Sequence, residues 1–288
     1  MKLMVFEKAG GIALGVVQGN EVVDLSAVDP ALPRDVGALA AGGETMLARV
    51  KEAAASAPAT ARHQIAELKP ALPVTRPGKF ICVGLNYAAH AAEGGHEIPT
   101  YPALFVRTQT SLIPAGAPIV RPRVSEKLDY ECELTIVIGK RCRHVSEADA
   151  LDKVFGYTIF NDASVRDYQR KSAQWTAGKN FDGTGPFGPV VVTADELPPG
   201  ASGLRIQTRL NGQTVQDSNT SDMIFSTAKL VATLSEFMTL EPGDVIATGT
   251  PSGVAHARKP PLWMKDGDVC EIEIEKIGVL RSPVVQEA

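Results

Sequence analysis

The sequence predicts a β-dominated α+β fold, in which a small β-rich N-terminal domain precedes a larger second domain. Apolar runs of three to six residues, bounded by Gly, Pro or Asn, recur along the 288 residues, whereas segments with helical periodicity are few. These runs do not alternate regularly with helices, which disfavours a doubly wound parallel sheet.

The first domain is predicted to span residues 1–72. Three short apolar runs, at residues 3–6, 12–17 and 21–25, are separated by Gly and Asn and read as strands. Residues 44–68 have the Ala, Glu, Leu and Lys content of a helix. A stretch punctuated by proline follows, from Lys69 to Gly78, and we place the domain boundary in it, between residues 72 and 73.

The second domain, residues 73–288, is predicted to consist mainly of strands. Helices are expected only at residues 88–93, after Ser164, and from Thr227 to Met238, where apolar residues recur at spacings of three and four. The predicted strands are residues 80–83, 104–106, 134–138, 157–160, 190–192, 245–247 and 269–274.

Composition and charge exclude several classes of function. The formal net charge is −4 and no run of Lys or Arg occurs, so no broad positive field is available for nucleic acid. About 18 consecutive apolar residues are needed to span a membrane, and the sequence has no such stretch. The N-terminus lacks the charged and apolar regions of a signal peptide, so we expect a cytoplasmic protein.

Three carboxylates form the most informative pattern. Glu131 and Glu133 stand directly before the apolar run 134–138, and Asp162 ends the run 156–162. On a strand that begins at or before Glu131, the two Glu side chains share one face with their roots about 6.5–7 Å apart. Three oxygen ligands without His or Cys suit Mg²⁺, Mn²⁺ or Ca²⁺ better than zinc. A solvated strand edge with two exposed Glu explains the same spacing.

His90 and Glu93 are three residues apart, which places them on one face of a helical turn. A carboxylate bound to one imidazole nitrogen would fix the tautomer and let the other nitrogen deprotonate water. Gly94 and Gly95 follow, so the segment could move as a lid. The other interpretation is a surface turn in which the two side chains merely interact in water.

Basic and hydroxyl groups complete the candidate site. Lys179 is the single charge in the uncharged stretch 175–181, where it could meet a substrate carboxylate or a developing oxyanion. Arg166 follows Asp162 by four residues, and either substrate contact or an ion pair with a nearby Asp accounts for it. The Gly-rich turn after the run 245–247 could hold an anionic oxygen on its amides and the Thr250 hydroxyl, although turn chemistry explains its glycines equally well.

Taken together, five blocks resemble the fumarylacetoacetate hydrolase family, including its acylpyruvate hydrolases and 2-hydroxyhepta-2,4-diene-1,7-dioate isomerases. Their order and spacing agree over roughly residues 78–284, which is far more specific than any one block. The residues that carry the resemblance are Gly84-Leu85-Asn86-Tyr87-Ala88-Ala89-His90, Asp129-Tyr130-Glu131-Cys132-Glu133-Leu134, Gly156 to Asp162 with Arg166-Asp167, Gly178-Lys179-Asn180-Phe181, and Thr248-Gly249-Thr250-Pro251-Ser252-Gly253.

The resemblance implies a mixed β-roll or sandwich catalytic domain, a homodimer, and Mg²⁺ or Mn²⁺ on Glu131, Glu133 and Asp162. It also implies catalytic roles for His90, Glu93 and Lys179. The residues that match substrate-binding positions are Arg166, Thr250, Gly249, Tyr87, Gln109 and Arg107. The sequence departs from the family pattern at one place. Arg107 and Thr108 stand where many relatives have a Lys-Pro step, which leaves the substrate specificity open there.

The resulting hypothesis is a metal-dependent hydrolase that cleaves a C–C bond of an acylpyruvate such as fumarylpyruvate, in the catabolism of aromatic compounds. The cation would hold the 2-oxo acid while His90, oriented by Glu93, activates water and Lys179 meets the developing oxyanion. Decarboxylation of an oxaloacetate-like diacid, or hydration and isomerisation of a dienoate, would use the same cation. A non-catalytic, metal-stabilised module that binds small acids is the alternative from another class.

Overall fold

Strands dominate the computed structural model, which describes residues 1–288. Short runs of β-branched and apolar residues pair because such side chains fit a pleated, half-buried surface. The first nine strands are β1 (Lys2–Lys8), β2 (Gly11–Gln18), β3 (Glu21–Asp24), β4 (Arg62–Gln64), β5 (Phe80–Gly84), β6 (Ala103–Val106), β7 (Leu112–Pro114), β8 (Ile119–Arg121) and β9 (Leu128–Asp129). The other nine are β10 (Cys132–Ile138), β11 (Val154–Asn161), β12 (Ser164–Val165), β13 (Gly185–Thr193), β14 (Arg205–Leu210), β15 (Gln213–Asn219), β16 (Val245–Ala247), β17 (Val269–Ile274) and β18 (Gly278–Gln286).

Helices are few and mostly short, as the sequence predicts. None is long and apolar enough to cross a membrane. The seven helices are α1 (Leu25–Val28), α2 (Val36–Ala41), α3 (Gly43–Ser56), α4 (Ala88–Glu93), α5 (Arg166–Gln169), α6 (Thr176–Lys179) and α7 (Thr227–Phe237).

The predicted β-dominated α+β fold class is confirmed, and one predicted helix is too long. We expected a helix over residues 44–68, but α3 ends at Ser56 and β4 begins at Arg62. Pro58 explains the early end, because the residue before a proline is pushed out of the helical region. Ala57 accordingly adopts an extended conformation, with φ −63° and ψ 128°.

The strands form three sheets. The largest has eleven strands in the order β4-β3-β2-β1-β13-β11-β10-β16-β5-β6, and β7 pairs with β13 as well. A second sheet has the order β15-β14-β17-β18-β8, and β9 pairs with β12 alone. The strand β10 lies near the middle of the large sheet, and all seven of its residues are buried.

The large sheet runs without interruption across the predicted domain boundary at residues 72 and 73. Strand β1 pairs with β13 antiparallel, with Lys2, Leu3 and Met4 opposite Val192, Val191 and Val190. Leu3 and Leu14 also belong to the same buried apolar cluster as Phe80 and Phe160. The N-terminal strands therefore share a sheet and a core with the rest of the chain.

One edge of the large sheet gathers the ends of four strands. Strand β10 is antiparallel to both β11 and β16, and β16 is parallel to β5. Consequently the start of β10 meets the ends of β11, β16 and β5. The residues that follow or precede these ends are Glu131, Asp162, the loop from Thr248, and the turn into α4, so the topology collects the predicted site at this edge.

Candidate metal centre and substrate cavity

Three buried carboxylates converge at this edge. Cys132 pairs with Asn161 in the ladder, and Asp162 N–H donates to the Glu131 carbonyl at 3.0 Å, so Glu131 and Asp162 face each other just beyond the ladder. Glu133 is two residues further on and shares the side of Glu131. One oxygen from each of the three groups lies within 4.8 Å of the others. Strand β10 begins at Cys132, one residue later than the prediction assumed, yet the carboxylates converge.

Two cations bind the first of these carboxylates. Lys179 Nζ donates to Glu131 Oε2 at 2.7 Å and to Asp162 Oδ2 at 2.5 Å, so it bridges two members of the group. Arg166 donates to Glu131 Oε1 at 2.5 Å and, through Nε, to Asp129 Oδ2 at 2.8 Å. Burial raises the pKa of Glu131, but the charges of Arg166 and Lys179 lower it more, and the net pKa lies far below the usual range.

Arg107 binds Asp162 from outside the cavity. Its Nε donates to Asp162 Oδ1 at 2.8 Å, and its two terminal nitrogens donate to Thr184 Oγ1 at 3.0 Å and to the Ala163 carbonyl at 2.6 Å. The side chain is fully buried and does not line the cavity. The substrate contact expected for Arg107 is therefore replaced by a contact with a predicted metal ligand, because its donors are directed to Asp162 and its neighbours.

Glu133 has no cationic partner. Its Oε2 accepts a hydrogen bond from the Gly249 N–H at 3.0 Å, and no salt bridge reaches it. Burial, and then the charges of Asp162 and Glu131, raise its pKa well above the usual value. A buried carboxylate among other carboxylates is costly unless a positive charge is near.

The balance of buried charge fits a divalent cation. When the carboxylates of Asp129, Glu131, Glu133 and Asp162 are all ionised, they face only three cations, of Lys179, Arg166 and Arg107, so one negative charge is left over. A divalent ion on the three converging oxygens would reverse that excess, and an all-oxygen ligand set is the one that Mg²⁺, Mn²⁺ and Ca²⁺ prefer. The residues present therefore fit the ion that the sequence predicts.

His90 and Glu93 lie on α4 and contact each other as predicted from their spacing. His90 Nδ1 is 2.8 Å from Glu93 Oε1, and Glu93 Oε2 accepts the Gly253 N–H at 2.9 Å. The second bond ties α4 to the loop after β16 and orients the carboxylate. Because Nδ1 is engaged, the other imidazole nitrogen, Nε2, is the one left for substrate, and His90 lines the cavity.

A cavity of about 160 Å³ opens over the carboxylates, which is a volume suited to a small acid. Glu131, Glu133, Asp162 and five further predicted residues are brought together there or beside it. Lys179, Arg166, Thr250 and His90 line it, and Glu93 lies directly behind His90. Thr250 is fixed by Gln216, whose side-chain amide donates to the Thr250 hydroxyl at 2.9 Å.

Three other predicted substrate contacts lie outside the cavity wall. Gly249 bonds to Glu133 through its backbone N–H, as described above. Tyr87 is fully buried and its hydroxyl has no hydrogen-bond partner in the chain. Gln109 is exposed on the turn beyond β6, and its side-chain amide donates to the Thr75 carbonyl at 2.8 Å, so this position faces away from the cavity.

The cavity also contains residues that the sequence did not single out. Trp175 packs edge-on against Phe105 with ring centroids 5.6 Å apart, and both form the apolar wall. Gln169 and Arg170 follow Arg166 by three and four residues, about one helical turn, so they lie on the same face as Arg166. His256 lies three residues after Gly253, the last residue of the Gly-rich block, and no residue pattern in that turn predicted a site there. The full set of unpredicted lining residues is Val83, Gly84, Leu85, Gly94, His96, Phe105, Gln169, Arg170, Trp175 and His256.

Comparison with known proteins agrees with this geometry. The family model described as fumarylacetoacetate (FAA) hydrolase C-terminal matches residues 79–285. The chain belongs to the fumarylacetoacetate hydrolase family. The match begins six residues after the predicted start of the second domain and includes every residue of the carboxylate group.

Relatives of this fumarylacetoacetate hydrolase family member are named for different reactions. A mitochondrial oxaloacetate tautomerase of Rattus norvegicus is 43% identical over 277 residues, which cover 96% of this chain and 87% of that protein. The solved fumarylacetoacetate hydrolase of Exiguobacterium antarcticum is 34% identical, with a TM-score of 0.85 and full coverage of both chains. Maleylpyruvate hydrolase of Sphingobium sp. SYK-6, solved with manganese(II) and pyruvate, is 33% identical with a TM-score of 0.83, again with full coverage.

Proposed function

We propose that this protein is a metal-dependent tautomerase that interconverts the keto and enol forms of oxaloacetate. The observation that carries the proposal is a histidine, His90, oriented by a carboxylate and lining the same small cavity as the three converging carboxylates. The rat relative, 43% identical over nearly the whole chain, carries the name of this reaction.

The reaction needs a base at carbon and a positive charge near oxygen. When bound, Mg²⁺ or Mn²⁺ supplies that charge beside the oxygens of a 2-oxo acid. His90 Nε2 takes a proton from C3, the C–H electron pair forms the C2=C3 bond, and the carbonyl oxygen gains a proton. Glu93 keeps Nδ1 protonated, so Nε2 can act as the base.

The charges around the cavity suit a dicarboxylate. Arg166 is committed to Asp129 and Glu131 and donates also to Gln169 Oε1 at 2.9 Å. Arg170 lines the cavity, is exposed, and makes no salt bridge within the chain. Its guanidinium is therefore the group available for the substrate carboxylate that lies away from the cation.

The test follows the enol form by its ultraviolet absorbance in the presence of Mg²⁺ or Mn²⁺. His90→Asn should lower kcat by about 10²–10⁴-fold, the usual contribution of a positioned acid or base. Metal affinity, measured by calorimetry, should stay within about threefold, because His90 is not among the carboxylate ligands. His144→Asn is the matched control, since His144 is exposed and Asn tolerates its positive φ of 52°. Unchanged turnover by His90→Asn would rule out this assignment.

Hydrolysis of acylpyruvates is the second candidate. The same His90–Glu93 pair could deprotonate water, and the Sphingobium relative that hydrolyses maleylpyruvate was solved with manganese(II) and pyruvate. The products distinguish the candidate reactions from one another. Tautomerisation conserves every atom of the substrate, hydrolysis yields pyruvate and a second carboxylic acid, and decarboxylation of oxaloacetate yields pyruvate and CO₂. A dienoate isomerase would also conserve mass, but on an unsaturated substrate.

Several expectations from the sequence stay predictions. They are the homodimer, the cytoplasmic location, a role in aromatic catabolism, the absence of nucleic-acid and membrane partners, and the choice between Mg²⁺ and Mn²⁺. The name of the rat relative places that protein in mitochondria. Tight binding of oxaloacetate with Mg²⁺ but without any turnover would favour the non-catalytic acid-binding module instead.

A further inference from the structure

A second carboxylate–histidine pair lies in the cavity, formed by Asp129 and His256. His256 is in the turn of residues 255–257, it is half-buried, and it lines the cavity with His90. Its Nδ1 is 3.2 Å from Asp129 Oδ2, and its backbone N–H donates to the same oxygen at 3.1 Å. Two contacts to one carboxylate oxygen fix both the backbone and the ring.

Asp129 can only accept hydrogen bonds from this histidine. Its Oδ1 accepts the N–H groups of Tyr130 and Ala255 at 2.8 and 2.6 Å, and its Oδ2 accepts Arg166 Nε at 2.8 Å. A carboxylate surrounded by N–H donors acts as an acceptor on both oxygens, so Nδ1 of His256 carries the hydrogen. In the neutral ring, Nε2 then has a free lone pair, and it makes no hydrogen bond within the chain.

The His256 ring lies beside two guanidinium groups. Arg166 binds the same Asp129 oxygen, Oδ2, that His256 contacts. Arg170 is a second guanidinium in the same cavity. The acceptor Nε2 is therefore placed among cations that would attract the oxygens of an anionic substrate.

The keto form of oxaloacetate offers no partner to such an acceptor, because its carboxylates and its carbonyl have no O–H or N–H. The enol form has one donor, the hydroxyl on C2. We propose that His256 binds this hydroxyl and takes its proton when the enol returns to the keto form, an inference that rests on the proposed tautomerase function. The O–H bond breaks, C2 and oxygen form the carbonyl, and the C2=C3 electrons take a proton from His90.

The two histidines thereby act at opposite ends of the reacting unit. His90 exchanges a proton with C3, and His256 exchanges one with the oxygen on C2. Each is held by its own carboxylate, Glu93 for one and Asp129 for the other. In the direction from keto to enol, His90 removes the C3 proton and protonated His256 delivers one to oxygen, so protons and electrons balance without a redox partner.

The experiment measures two rates for the full-length, Mg²⁺-loaded protein. One is enol–keto conversion, followed by ultraviolet absorbance. The other is exchange of the C3 hydrogens with deuterium in ²H₂O, followed by NMR, which needs only the base at C3. His256→Gln should slow conversion by about 10²-fold or more and leave C3 exchange within about threefold. His90→Asn should slow both, and the control His63→Gln should slow neither.

Structural damage and a role in binding alone give other results. Oxalate, which has no hydroxyl hydrogen, should bind His256→Gln with Mg²⁺ as tightly as it binds the wild type, and His256→Asn replaces the Gln variant if that fails. A parallel fall in both rates, a rise in KM with kcat retained, or unchanged conversion would each overturn the assignment of His256 while the tautomerase function stands. Absence of enol–keto conversion in the wild type would instead overturn the tautomerase function, and this inference with it.

Discussion

Arg107 makes three hydrogen bonds that only a guanidinium can make together. They reach Asp162, Thr184 and the Ala163 carbonyl in one plane. A Lys ammonium at this position would keep the charge but lose the fork that fixes Asp162. We expect Arg107→Lys to lower Mn²⁺ affinity by about 10–100-fold, as for other residues that orient a metal ligand. Titration calorimetry measures it, with exposed Arg76→Lys as control, and equal affinities of the two variants would contradict the role.

Glu133 is the carboxylate that most needs the cation. It has no salt bridge, and the charges of Asp162 and Glu131 oppose its own. Glu133→Gln removes this repulsion and also removes a ligand. In EDTA, the variant should therefore be more stable to urea than the wild type by about 1 kcal/mol or more, because a buried charged group without a partner costs at least that much. Mn²⁺ should stabilise the wild type and leave the variant unchanged; a variant less stable in EDTA would contradict the argument.

Residue spacing predicts only part of the site. The i, i+2 spacing of Glu131 and Glu133 and the i, i+3 spacing of His90 and Glu93 carry enough local geometry to place each pair. His256 and Asp129 are 127 residues apart, and their contact depends on how β16 and β10 lie beside each other. The direction of the Arg107 side chain likewise depends on partners distant in sequence, at residues 162, 163 and 184. No local sequence pattern predicts either the His256 contact or the Arg107 contacts.

At the scale of elements, α5 and α6 cross at a glycine. A Cβ on Gly178 would lie 2.4 Å from the backbone nitrogen of Gln169 and 2.5 Å from its Cα, and backbone atoms cannot move aside cheaply. This close approach places the adjacent Lys179 between Glu131 and Asp162. The crossing therefore sets the position of the bridging ammonium.

Gly178→Ala should force the two helices apart. We expect a loss of unfolding free energy of about 1–3 kcal/mol, typical of overpacking, together with a fall in kcat as Lys179 moves. Chemical denaturation and steady-state kinetics measure the two effects. Ala177→Ser, at the exposed neighbouring position, is the control and should change neither. A Gly178→Ala variant with wild-type stability would show that the crossing is not tight.

Strands that consist of apolar runs could be predicted from the sequence, and strands with many polar residues could not. The strands at residues 80–83, 134–138 and 245–247 lie within or coincide with β5, β10 and β16 because those strands are buried on both faces. The hairpin of β14 and β15 was missed, since half of its residues face solvent. Asn211 and Gly212 were its signal: both have positive φ, 51° and 80°, as the two-residue turn of a hairpin requires.

At the scale of the whole molecule, the N-terminal strands complete the large sheet. The sequence places a linker near residue 72, because proline punctuation is a local signal, whereas the pairing of β1 with β13 joins residues 190 positions apart. Without residues 1–72, strand β13 would become an edge with the apolar residues Val190, Val191 and Val192 unpaired on that side. Exposed apolar edges of this kind promote association between chains.

We therefore expect residues 73–288 not to form a stable, monodisperse protein alone, although this segment contains the whole family match and every predicted ligand. Removing the N-terminal strands also uncovers Phe80, Phe160 and Phe187, which share a cluster with Leu3, Val5 and Leu14. The full chain should unfold in one transition by circular dichroism and by fluorescence, since one sheet and one core connect both parts. Size-exclusion chromatography of the fragment tests the point. A soluble fragment that binds Mn²⁺ as the full chain does would mean that the site depends on the second part alone, and that β1 to β4 serve only to cover the edge of β13.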